Sequence, residues 1–147
     1  MSPNPNETIS YTDHDKGITL SVPLTVKNSY LWYLLVTAFE SGSEGTGSWA
    51  QITGYTIPTT LIQYDASMTK PVKYADYPLS PGGAVLLADN EDEDVKFTLD
   101  YAAIERGLKV MCEKYPKHWK DLIEDNHDAI TADVLVQCAL LGEVQYG

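Results

Sequence analysis

The last twenty residues, DAITADVLVQCALLGEVQYG (128–147), constrain the fold more than any other stretch. Between Ala129 and Leu141 the single charged residue is Asp133, in a chain whose net charge is −11. Ile130, Val134, Leu135, Val136, Leu140, Leu141 and Val144 cover more than one face of an α-helix. A helix that is apolar on most sides is buried between layers rather than laid on a surface. The segment is therefore expected to be a central packing helix. A subunit interface over its second face, and hence a homo-oligomer, is the other way to cover it.

The rest of the chain reads as strands, a helix, strands, then helices, an α+β order rather than a βαβ one. Residues 1–6 hold two prolines and two asparagines and are expected to be a loose tail. TISYT and ITLSVPLTV flank DHDKG, which predicts an N-terminal hairpin over residues 7–25; Pro23 suits an edge strand or a bend. The stretch VKNSYLWYLLVTAFE predicts a helix capped by Asn28 or Ser29, followed by a Gly/Ser loop at 41–48. WAQITGYTI and TTLIQYD suggest two strands broken at Pro58, and ASMTKPVKYADYPLSPGG suggests a long loop. AVLLAD and VKFTLD make a hairpin across DNEDED. Asp100 can cap a helix that Pro116 ends, KHWKDLIEDN is a short amphipathic helix, and the final helix follows. The expectation is one domain over 1–147, with 26–147 as its core: a small, mostly antiparallel sheet packed with three to four helices.

A chain of 147 residues is long enough for one hydrophobic core. No apolar run approaches the ~20 residues that span a bilayer, and MSPNPNETIS has neither the basic flank nor the apolar core of a signal peptide. A cytoplasmic protein without a membrane partner is expected. Cys112 and Cys138 fall in helix-like segments without CxxC spacing and read as buried free thiols. The excess of 21 Asp and Glu over 10 Lys and Arg argues against duplex nucleic-acid binding by phosphate neutralisation. His14, His118 and His127 are scattered, so neither a metal site nor a cofactor is expected. No GxSxG, HExxH or Walker A pattern nominates a catalytic apparatus, and the chain reads as a non-enzyme.

Several pieces carry a resemblance: LLVTAFESG with a following Trp49, PGGAVLLAD, FTLDYAAIERGLKV and the ending itself. The chain resembles a widespread group of small hypothetical proteins of tailed bacteriophages and prophages, from about residue 31 onward. The ending DAxTADVxxQxALxGExxYG is its specific part, while residues 7–25 and an insertion around 64–80 lie outside the pattern. The resemblance implies provenance, a phage accessory protein acting in the cytoplasm of an infected bacterial host. It assigns no catalytic residue. Proteins of this kind often disarm host immunity.

Two sets of residues are candidates for binding. Asp133 and Gln137 share a helix face, and they either hold a cap and a loop or line a pocket. With Glu40, Trp49 and Tyr55 they suggest a notch under a Gly/Ser lid that carries Trp49 as a stacking residue; Tyr64, Tyr74 and Tyr77, with Lys70 and Lys73 near a phosphate, extend it. This set fits a nucleotide-like small molecule, and sequestration of a nucleotide-derived immune signal is the leading expectation. The alternative surface is the acidic run Asp89, Glu91, Asp92, Glu93 and Asp94, which fits an inhibitor of a host defence protein: an anti-restriction or anti-CRISPR-like protein, or a DNA mimic. A solvated turn is the plain reading of that run. A phage structural or morphogenesis component is the remaining alternative.

Overall fold

A computed structural model describes residues 16–147. Helix α1 (Asn28–Glu40) leads through two 3-10 turns, Gly42–Glu44 and Thr46–Ser48, into strand β1 (Ala50–Thr56). A loop and a four-residue helix α2 (Lys73–Asp76) precede β2 (Ala84–Asp89) and β3 (Lys96–Leu99). Helices α3 (Tyr101–Lys114), α4 (Pro116–Ile123) and α5 (Ala129–Leu141) follow. The strands form one antiparallel sheet in the order β1-β2-β3, with a register shift between Ile52 and Gly54. The architecture is α+β, and among the described residues no helix is long and apolar enough to cross a membrane.

Helix α5 is the axis of the molecule. Every residue from Thr131 to Ala139 is buried, packed by α3, α1, α4, β3 and the second 3-10 turn. This chain's own elements cover both of its faces, so it leaves no second face for a subunit interface. Ile130 is the exception to the expected apolar set, 60% exposed in the first turn. The helix begins where Asp128 Oδ1 accepts from Thr131 N (2.9 Å) and ends at Gly142, whose φ of 73° is the left-handed geometry glycine supplies readily. Helix α3 starts in the same way, with Asp100 Oδ1 accepting from Ala103 N at 2.8 Å. The two helices approach closely at Gly107, where a Cβ would stand 2.8 Å from the Ala139 backbone. Around α5, the fully buried Leu34, Leu35, Val85, Leu87, Leu99, Ile104, Met111 and Leu122 complete the core.

Four sequence expectations change. Residues 16–27 belong to no strand or helix, and the expected partner arm TISYT (8–12) lies outside the described residues, as does the tail 1–6. The cap of α1 is Lys27, without a side-chain hydrogen bond. Asn28 is instead the first helical residue, where its amide bridges Tyr64 Oη (3.3 Å) and Tyr101 Oη (3.0 Å). TTLIQYD is no strand: a buried carboxylate replaces the ladder, as Asp76 Oδ1 accepts from Tyr64 N (3.1 Å) and Oδ2 from Val72 N (2.7 Å). Nearby, Ser80 Oγ accepts from Ile62 N at 2.9 Å. Of the two thiols, Cys138 is buried but Cys112 is exposed on the outer side of α3.

Candidate functional site

Because α5 is buried from Thr131 to Ala139, the polar side chains of Asp133 and Gln137 must find partners inside the protein. Asp133 and Gln137, one helical turn apart, share a face and meet: Gln137 Nε2 donates to Asp133 Oδ2 at 2.8 Å. Asp133 Oδ1 takes two further bonds, from Thr46 Oγ1 (2.8 Å) and Trp49 Nε1 (2.9 Å). The carboxylate therefore staples the 3-10 turns after α1 onto the central helix. Gln137 does the same for the segment that follows α5. Its Oε1 accepts from Gln145 N (2.9 Å) and Tyr146 N (3.0 Å), and its Nε2 also donates to Tyr146 O (2.9 Å). All four hydrogen-bonding positions of that amide are used, which fixes its orientation.

Trp49 is not a lid. It is 3% exposed, and the ring of Tyr146 stacks on it at 5.2 Å between centroids and 7° between planes. Phe97 meets the indole edge-on at 5.7 Å. The turns bearing Trp49 are locked from below as well, because Gly45 sits where a Cβ would be 2.3 Å from Ala38 O. Trp49, Asp133 and Gln137 thus come together as the sequence suggested, but around the chain's own Tyr146 rather than an open notch. Among the described residues, the buried side-chain nitrogens without a partner are Trp32 Nε1 and His118 Nδ1, and neither is in this cluster.

The remaining candidates divide into two surface groups. Glu40, Tyr55 and Lys73 are linked through α2 and the tyrosines around it. Tyr74 Oη donates to Glu40, Lys73 Nζ lies 5.8 Å from the centre of the Tyr55 ring, and Tyr55 meets Tyr77 edge-on. Burial, then the Glu40 hydrogen bond, raises the Tyr74 pKa; burial, then the nearby Tyr77, raises that of Tyr55. Both phenols stay neutral at physiological pH. Lys70 stands exposed in the preceding loop, without an ion pair among the described residues.

The acidic turn is the second group. Glu91, Asp92, Glu93 and Asp94 are all exposed and form no ion pair among the described residues, where the one Lys–carboxylate pair is Lys109–Glu105, at 3.6 Å. The turn is nonetheless shaped. Asp89 Oδ1 accepts from Glu91 N (2.8 Å), Asp92 Oδ1 from Asp94 N (3.1 Å), and Asp89 Oδ2 from Tyr146 Oη (3.0 Å). The Glu91 backbone N–H and then the Tyr146 hydroxyl hold the Asp89 carboxyl below its usual pKa. Tyr146 therefore links the buried network to the acidic turn, with its ring on Trp49 and its hydroxyl on Asp89.

Thr46 and Tyr146, which complete the network, were not among the sequence candidates. The signal for Tyr146 was an aromatic residue just beyond a buried helix carrying an unpaired amide. No group of three or more His, Cys, Asp or Glu side chains able to hold a metal occurs among the described residues. No family model, curated protein or solved structure matches the chain.

Proposed function

We propose that the protein is a non-catalytic binding protein whose acidic β2–β3 turn engages a basic surface on a partner protein. One observation carries the reading: four consecutive exposed carboxylates, without counter-ions among the described residues, sit on a turn held in shape by Asp89, Asp92 and Tyr146. Uncompensated charge attracts a complementary surface and speeds encounter, and a preshaped turn loses less conformational freedom when it binds. On the resemblance to phage accessory proteins, the partner is a host defence or nucleic-acid-handling protein with a basic groove, met in the bacterial cytoplasm. The turn is too short to imitate a long stretch of duplex, so the mimicry is local.

The test compares immobilised wild-type chain with a Glu91→Gln, Asp92→Asn, Glu93→Gln, Asp94→Asn variant in a bacterial lysate. A basic protein should be retained by the wild type, released by moderate salt and lost from the variant. Retention that is equal on both columns, or indifferent to salt, refutes the reading.

The placement of Lys73 over the Tyr55 ring, beside Tyr77, favours a second reading, sequestration of a nucleotide-like molecule on the tyrosine platform. Tyr55 and Tyr77 would offer ring surface to a base and Lys73 an ammonium to a phosphate. Mass spectrometry of small molecules released on heating the protein, after exposure to infected-cell lysate, tests this directly. A nucleotide released by wild type but not by a Tyr55→Ala variant would support it, and none from either would end it.

A further inference from the structure

A hollow of about 470 Å³ is lined by Ser29, Tyr30, Tyr33 and Thr37 of α1 and by Asp125 and His127 of the turn before α5. Every lining side chain is polar or aromatic, and none is a lysine or arginine. The proton positions follow from the geometry. The single hydroxyl proton of Tyr30 goes to Leu122 O at 2.7 Å, because a carbonyl can only accept. The 3.0 Å contact between Tyr30 Oη and His127 Nδ1 is then made by an Nδ1–H, which places the lone pair of the neutral ring on Nε2. Burial, then the charge of Asp125, raises the Tyr30 pKa and keeps that phenol protonated. Nε2 has no hydrogen-bond partner among the described residues and is not one of their buried unpartnered nitrogens, so it opens to solvent. Thr37 gives its own proton to Tyr33 O at 2.9 Å, leaving Oγ1 as an acceptor.

From this we infer that the hollow is a binding site for an alkylammonium group. The Asp125 carboxylate, His127 Nε2 and Thr37 Oγ1 are three acceptors for the three N–H donors of such a group. Tyr33, 58% exposed and braced edge-on by Trp32 at 5.1 Å between centroids, adds an aromatic ring for the positive charge. A phosphate would meet a carboxylate and no cation, and an aliphatic group would find no aliphatic wall. A neutral polyol would satisfy the acceptors but leave the charge unanswered. Asp125 itself supports the assignment. It stands just beyond the C-terminal end of α4, where the helix dipole opposes a carboxylate, and its φ of 58° is the one positive value outside glycine among the described residues. A residue unfavourable on both counts marks a functional position. Its side chain is 80% exposed, and its ion-pair partner among the described residues is His127, at 3.6 Å, which is charged only when protonated. Lys27 borders a second hollow that shares Tyr30 and Asp125, yet it makes no ion pair with that carboxylate. The ammonium group can come from a free polyamine or from a lysine side chain. The site shares no residue with the acidic turn and does not depend on the proposed function.

Titration of the full chain with n-butylammonium chloride, followed by NMR, should give saturable shifts of the His127 ring signals, and n-butanol, its neutral match in size, should give none. Calorimetry then compares variants. Asp125→Asn should weaken binding at least ~10-fold, yet melt at or above wild type, because asparagine accepts left-handed backbone and puts no charge against the dipole. His127→Asn keeps an amide N–H for Tyr30 Oη but lacks Nε2, and should also bind more weakly. The acidic-turn variant removes four charges elsewhere and should bind within about twofold of wild type, which separates a built site from the general attraction of an acidic chain. Tighter binding of spermidine than of n-butylammonium would name a polyamine as the source, and tighter binding of N-acetyl-lysine methylamide a lysine side chain. The inference is overturned by no saturable shift at His127, by an equal response to n-butanol, or by an Asp125→Asn protein that binds like wild type. A loss as large in the acidic-turn variant as in Asp125→Asn overturns it too.

Discussion

Replacing Asp133 by Asn changes one oxygen to an NH₂ group and leaves the volume the same, so a tolerant site would absorb it. This site should not. Oδ1 can still accept from Thr46 and Trp49, but as a neutral acceptor it holds them less strongly. On the other side, the new amide N–H₂ faces Gln137 Nε2 at 2.8 Å, donor against donor. Gln137 cannot turn its amide to compensate, because its oxygen already serves Gln145 N and Tyr146 N. Removing a buried charge recovers some desolvation, yet two opposed buried donors and weakened bonds to Thr46 and Trp49 outweigh it, for a net loss of about 2–3 kcal/mol. In a domain of this size that lowers Tm by roughly 4–12 °C, well within reach of thermal melting by circular dichroism. A double-mutant cycle sharpens the test. With Gln137→Glu added, the amide introduced by Asp133→Asn can donate to the new carboxylate, so the pair should be at least ~1 kcal/mol more stable than the two single losses imply. An Asp133→Asn protein melting within a degree of wild type would refute the network.

Other perturbations probe neighbouring parts of the same structure. Trp49→Ala should cost about 3–5 kcal/mol, because it empties a core site and leaves Tyr146 unstacked; equilibrium urea unfolding measures it. Gly107→Ala would gain up to about 1 kcal/mol in an open helix, but here the Cβ meets the Ala139 backbone, so urea unfolding should register a net loss of about 1–3 kcal/mol. Burial pushes the Cys138 thiol pKa up to about 11. A raised thiol pKa favours the folded form below the unfolded-chain pKa, and that contribution disappears as pH rises from about 9 towards 11. At pH 8 a thiol reagent should therefore label Cys112 alone in the native protein and both cysteines after unfolding. The depressed Asp89 pKa acts in the opposite direction: its contribution is present above about pH 4 and fades as pH falls through the folded value. Asp89→Asn should flatten the acid limb of a melting-temperature profile.

Features with local causes were legible in the sequence. Asp100 and Asp128 stand three residues before the N–H groups they cap, and AVLLAD and the strand at 96–99 are joined by a short turn. The burial of α5 was readable because its composition allows little else. What escaped was set by residues distant in the chain. TTLIQYD has the composition of a strand, but the Asp76 carboxylate takes the backbone N–H of Tyr64 from twelve residues away and a ladder is not needed. Trp49 beside a Gly/Ser stretch resembles a lid until Asp133, 84 residues on, is found to hold its indole N–H. The spacing of Asp133 and Gln137 correctly implied that they meet. It could not reveal that the chain's own Gln145 and Tyr146 would fill the remaining positions.

The most direct test of this closure is amide hydrogen exchange at Gln145 and Tyr146. Both lie outside any helix or strand, where backbone N–H groups ordinarily exchange at nearly free-chain rates. Because Gln137 Oε1 accepts from each of them inside the folded domain, both should be protected by a factor of about 100 or more. The protection should collapse in a Gln137→Ala variant. Free-chain exchange at these two amides in the wild type would mean that the segment does not seal the cluster, and that Trp49, Asp133 and Gln137 are open to a ligand after all.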